Sequence, residues 1–596
     1  MQVRTFGLGK IVAVWLLSTC GASAQNSALD ELAKQFTVES NVPVAMRDGV
    51  LLRADVIRPR ASGRYPTLLY RTPYGKRRAV DEYTTFREAV ERGYAVVLQD
   101  VRGRYASAGE FVPYQHEGHD GYDTIEWAAR QPWSDGNVGT FGLSYPGAVQ
   151  WLAAVESPPH LKAMAPFMTF STPRNFFYSG EVFDGSWLEW IWDSIAPDLR
   201  VKKGLADPQA AREADADGRT DLDRMHAFLP MLDLPDLKQV APFYYEWLKH
   251  PAWDSWWDWA ELRGKYSRVQ AAVLNLSGWY DETYGPDGAT TNFNGLLAAR
   301  RKWADPATRT IIGPWVHGVE STQRTNAGDR HFFSNAAIDY DEIVLRWMDH
   351  YLRGTDNGVE REKRVRFYVM GDNVWREEDA WPPRARRTEY FLSGGFQHRH
   401  GLLTMSNPGN GDDSSSFVSD PAHPVSDSYA SLGGHDYRSL EQRDDVLFFD
   451  TEPLRDDTEV TGPVTAKIFV SVDAPDADLW VRLLDVAPDG TAWNLMSPGP
   501  DVQRLSYRHH TAKRELLTPG KIYEITLDRL LTSNVFKKGH RIRVQISGAF
   551  FPRFSRNLQT GKLETTSAET RKAKITIHHD VKHRSRIVLP EVVRQP

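Results

Sequence analysis

The stretch VGTFGLSYPGAVQ, residues 138–150, sets a serine, Ser144, between a strand-like run and a helix-like run. A sharp strand-to-helix turn of the form G-x-S-x-G lifts a serine hydroxyl clear of the backbone, where it can attack a carbonyl. Gly142 stands two residues before Ser144, but Pro146 fills the expected place of the second glycine and Gly147 comes one residue late. A serine by itself is a weak nucleophile. It needs a base, and an acid that orients the base. On a parallel α/β sheet these follow in the order serine, acid, histidine, each in a loop at the carboxyl end of a strand. Two later loops meet that requirement. AAVLNLSGWYDETYG puts Asp281 directly after an apolar run, and TRTIIGPWVHG puts His317 directly after the next. Each alone has a plainer reading, Asp281 as a helix cap and His317 as a satisfied surface histidine. In order and at strand ends, the three point to acyl transfer from an ester or amide.

The surrounding elements must place those loops side by side. VPVAMRDGVLLRADVIRP is a hairpin turning at Asp48-Gly49, and YPTLLYR, YAVVLQD, LKAMAPF, AAVLNLSG and TRTIIGP are short apolar strands. Between them EYTTFREAVERG, GYDTIEWAARQP and AVQWLAAVE have helical spacing. This alternation predicts the doubly wound parallel sheet of an α/β-hydrolase. The segment 181–263 breaks the rhythm: it is rich in Trp and Asp and predicts a helical cap inserted into the sheet. Residues 25–180 and 264–364 are then the two parts of the hydrolase domain, closed by the helix DEIVLRWMDHYLRG. From 365 to 596 the pattern turns to alternating strands, VRFYVM, TAKIFVSV, LWVRLLDV, KIYEITL, RIRVQISG and AKITIHH, which predicts an all-β jelly roll. SNPGNGDDSSS has the composition of a surface loop.

Residues 1–24 predict an export signal: Arg4 and Lys10, the apolar run IVAVWLLS, and ASA at 22–24 before Gln25. The run is too short to span a membrane. The single cysteine, Cys20, lies inside the segment 1–24, and Thr19 before it argues against a lipidated cysteine, so a periplasmic or secreted chain without disulfides is expected. Cleavage would remove two positive charges from a chain of net charge −6. No long basic run is present, which weighs against nucleic acid as a partner. His116 and His119 in HEGHD lack a third metal ligand nearby, and no motif calls for a metal or cofactor. SWWDWAEL fits the packing of a cap better than a sugar platform. The oligomeric state, a homo-oligomer included, is left open.

These residues resemble those of the family of cocaine esterases, α-amino-acid ester hydrolases and X-Pro dipeptidyl-peptidases, also called CocE/NonD hydrolases. GLSYPG matches the family's elbow G-x-S-Y-x-G, which accounts for the late glycine. GWYD, GPWVHG, RTPYGK, DVRGRYASAGEF, DGYDTIEWAARQPWSDGNVG and GHRIRVQISGAFFPRFSRN are similar as well, and the likeness runs from about Val42 to the end. It implies Ser144, Asp281 and His317 as the triad. It also implies an oxyanion site made of the Tyr74 phenol, in RTPYGK, and the Tyr145 backbone N–H.

Family members that select a free α-amino group carry carboxylates two and three residues after the triad acid. Thr283 and Tyr284 stand there, Glu282 lies outside that pattern, and RNFFYSGEVF shows no acid at its matching place. The extra N-terminal domain of the larger X-Pro peptidases is also missing from this sequence. An uncharged acyl pocket of Trp187, Trp190 and Tyr284 is therefore expected, and a carboxylic ester as substrate. The alternatives are an X-Pro dipeptidyl-peptidase, an α-amino-acid ester hydrolase or β-lactam acylase, and an inactive carbohydrate-binding scaffold.

Overall fold

A computed structural model of the chain describes residues 28–207, 218–281, 285–301, 305–394, 400–406, 413–429, 431–496 and 501–593. The expected export signal with Cys20, and residues 282–284 with Tyr284, lie outside the described residues. So does the centre of the SNPGNGDDSSS stretch.

The first unit is a ten-stranded sheet. Its strands are β1 (Thr37–Ala45), β2 (Leu51–Arg58), β3 (Tyr65–Thr72), β4 (Ala95–Asp100), β5 (Ser134–Leu143), β6 (Leu161–Phe167), β7 (Ala272–Tyr280), β8 (Thr308–Val316), β9 (Val365–Val369) and β10 (Val374–Glu378). Their order is β1-β2-β4-β3-β5-β6-β7-β8-β9-β10. From β4 to β9 all neighbours are parallel, and the β1–β2, β2–β4 and β9–β10 pairs are antiparallel. Every residue of β4 and of β7 is buried, as a strand covered by helices on both faces requires. Helices α1 (Glu117–Ala129), α2 (Tyr145–Ala154), α3 (Gly285–Arg300) and α4 (Tyr340–Arg353) cross over between strands or close the sheet. Helix α4 ends on Gly354, whose φ of 69° is the left-handed cap that glycine takes without strain.

Above the sheet, a helix runs through Ser186–Trp190, a π turn Ile191–Ile195 and Ala196–Lys202. It packs with Phe243–Lys249 around Trp247 and Trp257, which are wholly buried. Trp257 lies 4.6 Å from the Phe177 ring, so SWWDWAEL is cap core.

The change to the β domain comes later than expected. The VRFYVM strand, placed by its alternation in the C-terminal domain, pairs parallel with β8 and extends the hydrolase sheet, and β10 pairs with it. A period of two identifies a strand but not the sheet it joins. The C-terminal unit is a twelve-stranded all-β sheet beginning at Arg386–Ser393. Its long strands Thr458–Val472 and Tyr523–Phe536 pair antiparallel with each other. It docks closely on the cap: a Cβ at Gly180 would stand 1.9 Å from the Val502 carbonyl oxygen, and one at Gly185 2.5 Å from that of Pro552. Among the described residues, no helix is long and apolar enough to cross a membrane.

Candidate active site

The carboxyl ends of β3, β5, β7 and β8 deliver Tyr74, Ser144, Asp281 and His317 to one end of the sheet. Ser144 takes φ 68° and ψ −126°, a conformation that non-glycine residues rarely adopt and that costs roughly 1–3 kcal/mol. Its neighbours hold it there. The Ser144 N–H donates to the Phe167 carbonyl at 3.1 Å, and its own carbonyl accepts the N–H groups of Gly147 and Ala148 at 2.9 Å each, opening α2. The displaced glycine now has a reason. A Cβ at Gly147 would stand 2.5 Å from the Phe167 carbonyl oxygen, and one at Gly142 would stand 2.6 Å from Pro146 Cβ. Pro146 sits in the first turn, where its missing N–H costs nothing.

His317 Nδ1 lies 2.6 Å from Asp281 Oδ1. Asp281 is completely buried, and its second oxygen accepts the Ser277 hydroxyl at 2.8 Å. A Cβ at Gly285 would fall 2.7 Å from that oxygen, so glycine keeps the carboxylate's space open. His317 retains 20% side-chain exposure and lines a cleft of about 530 Å³ together with Ser144, Tyr74, Trp187 and Trp190. The main-chain N–H of Tyr145, the first amide of α2, has no acceptor within the helix. The Tyr145 ring points into the core.

A family profile described as X-Pro dipeptidyl-peptidase (S15 family) matches residues 48–319, and one for the X-Pro dipeptidyl-peptidase C-terminal non-catalytic domain matches 357–588. The cocaine esterase of Rhodococcus sp. (strain MB1 Bresler) is 36% identical, covering 94% of this chain and 99% of its own. The chain belongs to the S15 family of serine hydrolases. A putative serine esterase of Mycobacterium bovis (strain ATCC BAA-935 / AF2122/97) is 27% identical over 93% of this chain and 95% of its own. In fold, the chain superposes on an α-amino acid ester hydrolase with a TM-score of 0.79 at 22% identity, covering 98% of this chain and 100% of that one.

Within this S15 hydrolase the two described pocket residues have separate tasks. Trp187 is buried and donates its indole N–H to the Phe176 carbonyl at 2.8 Å, which fixes it as wall. Trp190 lies edge-on to it at 5.3 Å and donates its indole N–H to the Tyr74 hydroxyl at 3.0 Å. That contact occupies an acceptor position of Tyr74 and turns the phenolic proton away from Trp190. The expectation of an uncharged pocket needs correction. The cleft lining includes Glu82, Glu189, Asp193 and Asp198, with Arg78 and Arg553. These come from the cap, a helix after β3 and the β domain, which a search confined to the acid loop and RNFFYSGEVF does not reach. Several are engaged with neighbours: Glu82 with Arg78 at 2.5 Å, Glu189 with His226 at 3.2 Å and Arg553 with Asp184 at 3.4 Å.

Proposed function

We propose that this chain is an exported hydrolase of carboxylic esters that works through an acyl-enzyme on Ser144. The observation that carries the reading is the buried Asp281 carboxylate 2.6 Å from His317 Nδ1, at a cleft that Ser144 also lines from a strained elbow. With Nδ1 committed to Asp281, the other ring nitrogen, Nε2, is the one that takes the Ser144 proton. The serine oxygen then bonds to the ester carbon, and the carbonyl electron pair moves to its oxygen. The Tyr74 phenol and the Tyr145 amide hold that oxyanion; a donor of this kind contributes about 3–4 kcal/mol. Collapse expels the alcohol, which leaves with the proton from His317. Water repeats the sequence on the acyl-enzyme and releases the acid. Every group required belongs to this chain.

The 36% identical relative named cocaine esterase favours esters over peptides; the relatives named putative Xaa-Pro dipeptidyl-peptidase are 22–24% identical. The carboxylates in the cleft favour a second reading, selection of an α-ammonium group. These carboxylates are already engaged, Glu82 and Glu189 as above and Asp198 by the Tyr105 N–H, which it accepts at 3.1 Å. An ammonium ion brought beside them loses hydration for a shared partner.

A fluorophosphonate probe followed by peptide mass mapping should place one adduct, on Ser144. Labelling of another serine in active protein would end the reading, and a chain that never labels would be the non-catalytic scaffold. Phenylacetate and phenylglycine esters of one alcohol then isolate the amino group. The ratio of kcat/KM, amino ester over plain ester, is expected at or below about one. A tenfold preference for the amino ester would establish the second reading.

A further inference from the structure

Three stretches that stand far apart in the chain, RTPYGK, HEGHD and GLSYPG, meet at one buried point beneath the cleft. The phenol of Tyr145 donates to Glu117 Oε1 at 2.9 Å and accepts the Tyr114 N–H at 3.0 Å. Glu117 Oε2 stands 2.7 Å from Arg71 Nη1, and both side chains are 3% exposed. Arg71 in turn donates to Gln99 Oε1 at 2.7 Å and to the Glu117 carbonyl at 3.3 Å. The Tyr145 ring is clamped on its faces as well: it stacks on Tyr114 at 4.1 Å and lies parallel to Trp190 at 6.2 Å. Space for this arrangement comes from Gly121 of α1, where a Cβ would stand 2.6 Å from Ala153 Cβ and 3.3 Å from Arg71 Nη1.

A buried ion pair is an inefficient source of stability, because desolvation cancels much of its attraction and an apolar replacement is often as stable. Burial pushes the Glu117 carboxyl up from its ordinary range, against the pull of Arg71. It holds the Tyr145 phenol far above its own ordinary value, so the phenol remains a donor. What the pair does fix is direction. A ring held by two hydrogen bonds and two stacking contacts leaves its own backbone, and with it the first amide of α2, little freedom to turn.

We propose that Arg71 and Glu117 are positioning residues for the oxyanion site, holding the Tyr145 ring so that its main-chain N–H keeps its aim. The inference rests on the oxyanion role given above to Tyr74 and Tyr145. It has a structural corollary: RTPYGK serves both donors, Tyr74 directly and Tyr145 through Arg71 and Glu117. One strand end, that of β3, thus references the two halves of the site to each other.

The test uses Tyr145→Phe, which removes one oxygen, and Glu117→Gln, which keeps an acceptor for Tyr145 but not the charge. Rates are expressed per active site titrated with a fluorophosphonate, so that loss of folded protein does not count. Misaiming a donor costs about ten- to hundredfold, so kcat per site should fall by that much in Tyr145→Phe, with KM within about threefold. Glu117→Gln should lie between it and the wild type. Affinity for an arylboronic acid, which forms the tetrahedral adduct, should fall with kcat, while affinity for the product carboxylate should not. A Tyr145→Phe enzyme with wild-type kcat per site and boronate affinity overturns the proposal, even if it melts earlier. Tyr74→Phe separates the two levels. If it too changes neither quantity, the oxyanion reading itself fails; if it lowers both and Tyr145→Phe does not, only the anchoring fails.

Discussion

Clusters of serine, histidine and aspartate recur among the described residues, and two of them, one in each domain, show what separates a catalyst from a hydrogen-bond chain. In the β domain, Ser415 Oγ lies 3.0 Å from His579 Nε2, and His579 Nδ1 lies 3.4 Å from Asp413 Oδ2. By contact alone this second cluster looks like a triad. Ser415, however, sits inside a regular edge strand, Ser414–Ser419, whereas Ser144 stands on a turn with φ 68°. Ser415 Oγ is also 3.2 Å from the Gly394 carbonyl oxygen, which can only accept, so its proton has a partner other than the imidazole. His579 is wholly buried beside a partly exposed Asp413. In the hydrolase domain the order is reversed, with Asp281 buried and His317 opening to a cleft. Proximity makes a hydrogen-bond chain. Catalysis further requires an exposed nucleophile, a base with room to receive a proton, and donors waiting for the oxyanion.

The sharpest break of that comparison replaces each serine in turn. Ser144→Ala should lower kcat/KM by about 10⁴-fold or more. Ser415→Ala should leave kcat/KM within about twofold of the wild type, its cost confined to a buried hydrogen bond worth ~1 kcal/mol of stability. Ester hydrolysis and thermal unfolding on both variants decide it. Activity that survives in Ser144→Ala and vanishes in Ser415→Ala would exchange the two assignments.

The features that separate the clusters differ in how far the sequence displays them. Ser144, Asp281 and His317 are legible because parallel strands are short apolar runs and their carboxyl ends follow at once. The late Gly147 is legible as an oddity, but its cause, the Phe167 carbonyl 2.5 Å from where a Cβ would be, needs the neighbouring strand. Tyr74 carries no spacing signal and enters only through the family resemblance. Arg71 and Glu117 run against pattern: charged residues are expected at the surface, and their burial depends on a partner from another element. VRFYVM shows its strand but not its sheet. The Ser415–His579 contact joins residues at opposite ends of the β domain, and nothing local announces it.

A smaller effect probes how the active cluster readies its oxyanion donor. Tyr74→Phe should reduce kcat by about 10²–10³-fold, the loss of one donor. Trp190→Phe keeps an aromatic wall but removes the N–H that reaches Tyr74, and should reduce kcat about fivefold, the equivalent of a neutral hydrogen bond of ~1 kcal/mol. The double variant is the informative one. If Trp190 acts through the phenol, its replacement adds nothing once Tyr74 is Phe, and the two losses are not additive. Full additivity would mean that Trp190 acts apart from the phenol, through the substrate or through its stacking on Tyr145.

The smallest effect concerns the second histidine and is one of stability. Burial lowers the His579 pKa from its ordinary value of 6.5, outweighing the pull of Asp413. The folded state therefore keeps this ring neutral at a pH where the unfolded chain has already protonated it. The unfolded state then binds more protons, so stability falls as pH drops. The contribution is present in full above about 6.5 and is lost as pH falls toward the depressed folded value. His579→Gln keeps a donor for Ser415 and has no charge to gain. Its melting temperature should trail the wild type at pH 8, and the gap should narrow at pH 5, by about 2 °C. Activity per titrated site should stay unchanged at both values, because this ring serves packing and not proton transfer. A gap that widens toward pH 5 would mean that His579 is held protonated by Asp413. The second cluster would then hold a charged imidazole–carboxylate pair rather than a neutral buried ring, and the contrast with the first would rest on the cleft and the elbow alone.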